Sequence, residues 1–176
     1  EIYTLSLHDA LPIYWTIAEQ MEEIQIDTLD FSNRGSEVVR YIKSENATLL
    51  GGVAYEKVED SYYDIVGAIE FAMSLGYEEI YLQGHSLGST KVVYTYNKLK
   101  EENNPITDKI KGIILLSLID IPGVIRIGIK EEDKKLAEEK EKNGQIMDLM
   151  PFKSFIHPMS VKNFLYYTKN NKNVDF

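Results

Sequence analysis

The spacing of apolar residues changes several times along the chain, and each change predicts an element. Trp15, Ala18 and Met21 fall on one face of a helix. Ile24, Ile26, Leu29 and Phe31 alternate imperfectly with polar neighbours, which predicts a strand over 24–31. Ser32-Asn33-Arg34-Gly35 then reads as a tight turn in which Asn33 or Gly35 takes positive φ. A short helix is predicted over 37–42, and a loop with close backbone approach over 49–55, where Gly51 and Gly52 stand together. Glu59, Asp60 and Ser61 put capping and negative charge at a helix start. Ile65, Ile69, Ala72 and Met73 repeat at helical spacing until Gly76 stops the helix.

From there the pattern alternates. Ile80, Tyr81 and Leu82 make a short buried strand, Gly84-His85-Ser86-Leu87-Gly88 a sharp turn, and Val92, Val93 and Tyr96 an apolar stripe on a helix over 87–98. After a polar turn at 101–105, the run over 110–119 is apolar on both sides, which predicts a strand covered by helices on both faces, as in a parallel sheet. Helix then strand, repeated, predicts an α/β fold. Composition shifts after Gly123. Residues 130–142 read as an exposed helix laced with local ion pairs, 146–150 with Phe152 and Phe155 restore apolar character, and 161–167 form an aromatic amphipathic helix. Phe164, Leu165 and Tyr167 are expected to pack over a pocket, and 123–172 to form a lid inserted between sheet strands.

The length of 176 residues suits one domain, with 44% hydrophobic and 11% aromatic residues typical of a globular chain. Acidic residues outnumber basic ones 28 to 19, a net charge of −9, which argues against a nucleic-acid partner. The absence of cysteine excludes a disulfide framework and a thiolate metal site and leans the compartment toward the cytoplasm. No apolar run approaches a membrane span, no signal segment opens the chain, and nothing indicates a metal or organic cofactor. Residues 1–13 resemble the translated read-through of a sequencing adapter, so His8 and Asp9 are expected to carry no function; the other reading is a native strand over 2–7. The expected organisation is a non-native segment over 1–13, a core over 14–122 and a helical lid region over 123–176.

Candidate chemistry centres on Ser86. A serine hydroxyl is a useful nucleophile only where the backbone holds it out within reach of a base, and a strand-to-helix elbow does so. Its turn is tight enough that residues two before and two after must be small, here Gly84 and Gly88. The Leu87 N–H, at the start of the following helix, is a natural oxyanion donor. The plainer alternative is a glycine-rich turn whose serine caps the helix. A serine hydrolase also needs a base and an orienting acid. Of three histidines, His8 lies in the suspect segment and His85 sits inside the elbow, where a structural role is expected. Ser86, Asp120 and His157 reproduce a hydrolase chain order, making Asp120 the candidate acid and His157 the candidate base. Against these stand a turn or capping role for Asp120 and a surface or packing role for His157 between Ile156 and Pro158.

Asn33-Arg34-Gly35, Gly52-Val53-Ala54-Tyr55-Glu56, Tyr63-Asp64-Ile65, the elbow, and Ser117-Leu118-Ile119-Asp120 together resemble an α/β-hydrolase. More narrowly, they resemble a branch that includes dienelactone-hydrolase-like proteins and fungal siderophore esterases. The resemblance implies that 24–31 is the fourth strand of that fold, 80–83 the fifth and 110–117 the sixth, with the first three and last two missing. The third strand lies between the fourth and fifth, so 2–7 is expected to fill the gap. The loop after the third strand would have brought a second oxyanion donor, and the family pattern would put acid and base beyond Phe176. The implied activity is hydrolysis of a carboxylic ester or related acyl bond through an acyl-enzyme, on a small-molecule substrate. This chain is then a truncated piece lacking part of its triad. The alternative is a non-catalytic relative used for binding.

Overall fold

The computed structural model describes residues 11–43, 45–151 and 158–169. In chain order the elements are α1 (Leu11–Glu23), β1 (Arg40–Lys43), β2 (Thr48–Gly51), α2 (Ser61–Ser74), β3 (Ile80–His85), α3 (Leu87–Glu101), β4 (Ile110–Leu116), α4 (Ile121–Gly128), α5 (Glu131–Lys142) and α6 (Val161–Lys169), with 3-10 turns at Val58–Asp60 and Pro105–Lys109. Helices alternate with a small parallel sheet, so the class is α/β. Among the described residues no helix is long and apolar enough to cross a membrane. Contacts gather the chain into two compact units, one formed by 1–33 and 58–119 and the other by 34–57 and 120–176.

In the first unit β3 runs parallel to β4, in register from Leu82 opposite Ile113 to His85 opposite Leu116, after an irregularity between Ile80 and Tyr81. α3 is the crossover between the two strands and packs on both, while α2 packs against α3. Ile65, Ile69 and Ala72 of α2 meet Ile80 and Leu82 of β3 and Val92 and Leu99 of α3 in one core. α2 follows the expected helical spacing, and Gly76, at φ 95°, ends it.

Residues 24–31 depart from the expected strand: none of them joins a ladder, and Ile24 is 62% exposed. A strand exists through its partner, and β4 is the one ladder neighbour of β3 among the described residues. The segment still contributes its apolar side chains, with Leu29 and Phe31 against the core, and the Tyr77 hydroxyl donates to Asp27 at 2.5 Å. The expectation that 2–7 fills the gap lies outside the described residues. β4 itself is not covered on both faces: Leu115 keeps 40% exposure, and the strand stops at Leu116 with Ser117 at φ 53°.

In the second unit residues 40–42 of the expected short helix over 37–42 and residues 49–51 of the expected loop over 49–55 belong instead to a β-hairpin, while 52–55 remain a turn. Arg40 stands opposite Gly51, Tyr41 opposite Leu50, Ile42 opposite Leu49 and Lys43 opposite Thr48. The β-branched Val38, Val39 and Ile42 favour extended backbone. The close approach expected at the double glycine is present: Gly52 adopts φ 92°, and a Cβ there would meet the Val38 carbonyl oxygen at 2.6 Å. α4, which apolar spacing did not predict, begins directly after Asp120. α5 is the expected charged helix, with Lys134 paired to Glu131 and, beyond it, Lys140 to Asp148. Phe164 and Leu165 of α6 are buried in this unit's own core with Ala137 and Met150, and Tyr167 packs near Ile121 and Ile129. Asn163, also buried, donates to the carbonyls of Ala54 at 3.3 Å and Glu56 at 2.6 Å, which joins α6 to the chain after the hairpin.

Candidate active site

β3 delivers the chain into the elbow. Ile80, Leu82 and Gly84 are buried along it, and one residue separates its last position, His85, from the first helical residue, Leu87. Ser86 makes that turn at φ 54° and ψ −122°. This lies outside the regions open to residues with a Cβ, a conformation of order 1–3 kcal/mol above the ordinary ones. Of the other described non-glycine residues with positive φ, Gln25 and Asn103 follow helix ends, Glu37 precedes β1 and Ser117 follows β4, whereas Ser86 sits between a buried strand and a fifteen-residue helix.

The surroundings explain how the turn closes. A Cβ on Gly84 would come within 2.5 Å of the Gly88 carbonyl carbon and 2.6 Å of the Ser89 nitrogen, and closer still to the Gly88 oxygen. Those obstacles are backbone, which cannot swing aside, so position 84 has to be glycine for the helix to start where it does. The Ser86 N–H donates to the Leu116 carbonyl at 2.8 Å, and the Ser86 carbonyl accepts the Ser89 N–H at 3.0 Å. Ser86 is half-buried and stands at the carboxyl end of the parallel strand pair, where open α/β sheets bind ligands. The Leu87 N–H belongs to the first turn of α3, where amides have no acceptor within their own helix. Ser86 does not cap α3 with its side chain, contrary to the plainer alternative.

Gly84, His85, Ser86, Leu87 and Gly88 are thus brought together. His85 ends β3 half-buried beside Ser86. Asp120 belongs to the second unit, where its carboxylate accepts the Gly123 N–H at 2.8 Å and its carbonyl the Val124 N–H at 2.9 Å. It caps α4, the turn or capping role that its place after a strand suggested. His157 lies outside the described residues. Among those residues no group of three histidine, aspartate or glutamate side chains could hold a metal ion. An open groove of about 590 Å³ in the first unit is walled by residues such as Glu19, Glu22, Asp27 and Tyr77 and includes none of the elbow.

Two neighbours of the elbow were not singled out from sequence. Ser89 is fully buried, and its hydroxyl donates to the Gly84 carbonyl at 2.7 Å with the Leu116 carbonyl 3.1 Å away. Lys91 is fully buried in the next turn of α3. The signal was present, since 88, 91, 92, 95 and 99 share one helical face that the apolar pattern marks only at Val92 and Leu99. No family model matches the chain, and no curated protein matches its sequence.

Proposed function

We propose that this chain carries the nucleophile and one oxyanion donor of an α/β-hydrolase-type serine hydrolase, acting on a carboxylic ester or related acyl bond. The observation that carries the reading is the backbone of Ser86, a strained non-glycine residue held at a strand-to-helix corner. Strain of that kind clusters at reactive positions because the surrounding fold must over-determine it. On this reading β3 and β4 are the fifth and sixth strands of the hydrolase sheet, and 123–176 is its lid region.

The Ser86 hydroxyl attacks the acyl carbon as its proton passes to a general base, and the oxyanion that forms accepts the Leu87 N–H. Collapse expels the alcohol, which takes the proton, and leaves the acyl group on Ser86. Water then attacks that ester with the same base, releasing the acid and restoring the hydroxyl. Within this sequence His157 is the candidate base. Asp120 is the candidate acid, though its carboxylate already serves Gly123.

A fluorophosphonate probe tests the assignment, with the adduct expected on Ser86 and lost in Ser86→Ala. His157→Gln should abolish labelling if it supplies the base. Asp120→Asn keeps the helix cap and removes the charge. Unchanged labelling in that variant assigns Asp120 to capping, and a large loss assigns it to the triad. Folded protein that no probe labels returns the chain to the alternative of a non-catalytic binding relative.

A further inference from the structure

We infer that Ser89 is the positioning residue of the elbow: its buried hydroxyl clamps the ends of both parallel strands and so holds Ser86 in its reactive conformation. The inference rests on the hydrolase reading for its consequence in rate, but its geometry stands independently. Ser89 is 0% exposed, so its hydroxyl has no recourse to water. Its oxygen lies 2.7 Å from the Gly84 carbonyl, two residues before the nucleophile on β3, and 3.1 Å from the Leu116 carbonyl at the end of β4. Leu116 is also the residue whose carbonyl takes the Ser86 N–H, and the Ser89 N–H is the donor to the Ser86 carbonyl. Ser89 therefore bonds the peptide on the helix side of the strained position through its amide, and through its hydroxyl contacts the Leu116 carbonyl that also accepts the Ser86 N–H.

A buried serine in a helix commonly bonds a carbonyl of its own preceding turn. Here the hydroxyl instead reaches five residues back, past the elbow, to a strand carbonyl. Removing it leaves the Gly84 carbonyl without this donor and weakens the hold on the Leu116 carbonyl, so the Ser86 peptide moves more widely about its strained conformation. A nucleophile displaced by about 1 Å loses on the order of a hundredfold in rate.

The test compares Ser89→Ala with Ile69→Val, a core variant away from the elbow that lowers stability without touching it. Two readouts are taken well below the unfolding temperature: the rate of fluorophosphonate labelling at Ser86, and hydrogen exchange of the Ser86 amide. Ser89→Ala is expected to label about tenfold to a hundredfold more slowly and to lose Ser86 amide protection by at least about tenfold. Ile69→Val should keep the wild-type labelling rate and Ser86 protection. Should Ser89→Ala fail to fold, Ser89→Cys takes its place, with a weaker donor and a smaller effect in the same direction. Wild-type labelling and wild-type exchange in the Ser89 variant overturn the positioning role. If no protein labels, the hydrolase reading falls, and the exchange result still decides whether Ser89 holds the elbow.

Discussion

Replacing Ser86 by glycine should make the protein more stable while removing the hydroxyl proposed as the nucleophile, and the comparison with Ser86→Ala gives the size. Both variants remove the hydroxyl, so any loss of side-chain hydrogen bonding is common to them. They differ by one Cβ at φ 54° and ψ −122°. Alanine keeps the strain of about 1–3 kcal/mol that a Cβ suffers there, and glycine removes it. Against that gain, glycine adds freedom to the unfolded chain and costs about 0.5–1 kcal/mol relative to alanine. The balance favours glycine by about 1 kcal/mol, and a chain of this size should show it as an increase of roughly 2–4 °C in Tm over Ser86→Ala. Urea titrations followed by far-UV circular dichroism at 25 °C give the free energies directly, provided the slopes of the variants agree. The sign is decisive. If Ser86→Gly proves less stable than Ser86→Ala by the ordinary glycine cost, the turn stores no strain and the inference from backbone to function loses its basis.

Two further outcomes follow from the same structure. Gly84→Ala drives a Cβ into the Gly88 and Ser89 backbone and should cost about 1–3 kcal/mol, whereas Gly67→Ala, on α2 with nothing within 4 Å of the new Cβ, should stabilise by about 0.4–1 kcal/mol; thermal melts of the pair check both signs. The Tyr62 hydroxyl donates to Glu102 at 2.5 Å, and that bond, with desolvation, raises the phenol above its ordinary value of 10.0. The stabilisation is whole below about pH 10 and is lost as pH rises through the raised value, so Tyr62→Phe should flatten the alkaline limb of a stability profile measured between pH 8 and 12.

The elbow was legible because its determinants are local. A glycine two residues before a serine, an apolar strand leading in and a helical stripe leading out all fall within twenty residues, and each has a steric reason that needs no distant partner. Residues 24–31 and the hairpin failed for the opposite reason. Their apolar positions alternate weakly, and whether such a segment becomes strand or coil is decided by what lies alongside it, which spacing within the segment does not record. Tyr41 and Leu49 show the difficulty: both are strand residues, yet they are 70% and 59% exposed, so burial never imposed a clean alternation on that sequence. Ser89 was passed over because its role depends on a hydroxyl crossing from helix to strand end, and a serine after a glycine gives no sign of which carbonyl it will meet.

The strain at Ser86 persists on a sheet of two described strands because relaxing it would cost more than it releases. Ordinary backbone angles at residue 86 would swing the start of α3 away from the end of β3. Val92 and Leu99 of that helix are both fully buried, against a core that includes Ile65, Ile80 and Leu82. Exposing either side chain gives up about 1.5–3 kcal/mol, so uncovering the two outweighs the 1–3 kcal/mol held in the turn. The apolar face of α3 therefore stabilises the strained corner from roughly two to three and a half helical turns away, while Gly84 leaves the space for it and the Leu116 carbonyl fixes its amide. On that balance a destabilising change in this core should loosen the elbow only when it shifts the seat of α3 on β3, which is why a conservative trim on α2 and the loss of one hydroxyl at Ser89 are expected to part company in the exchange of a single amide.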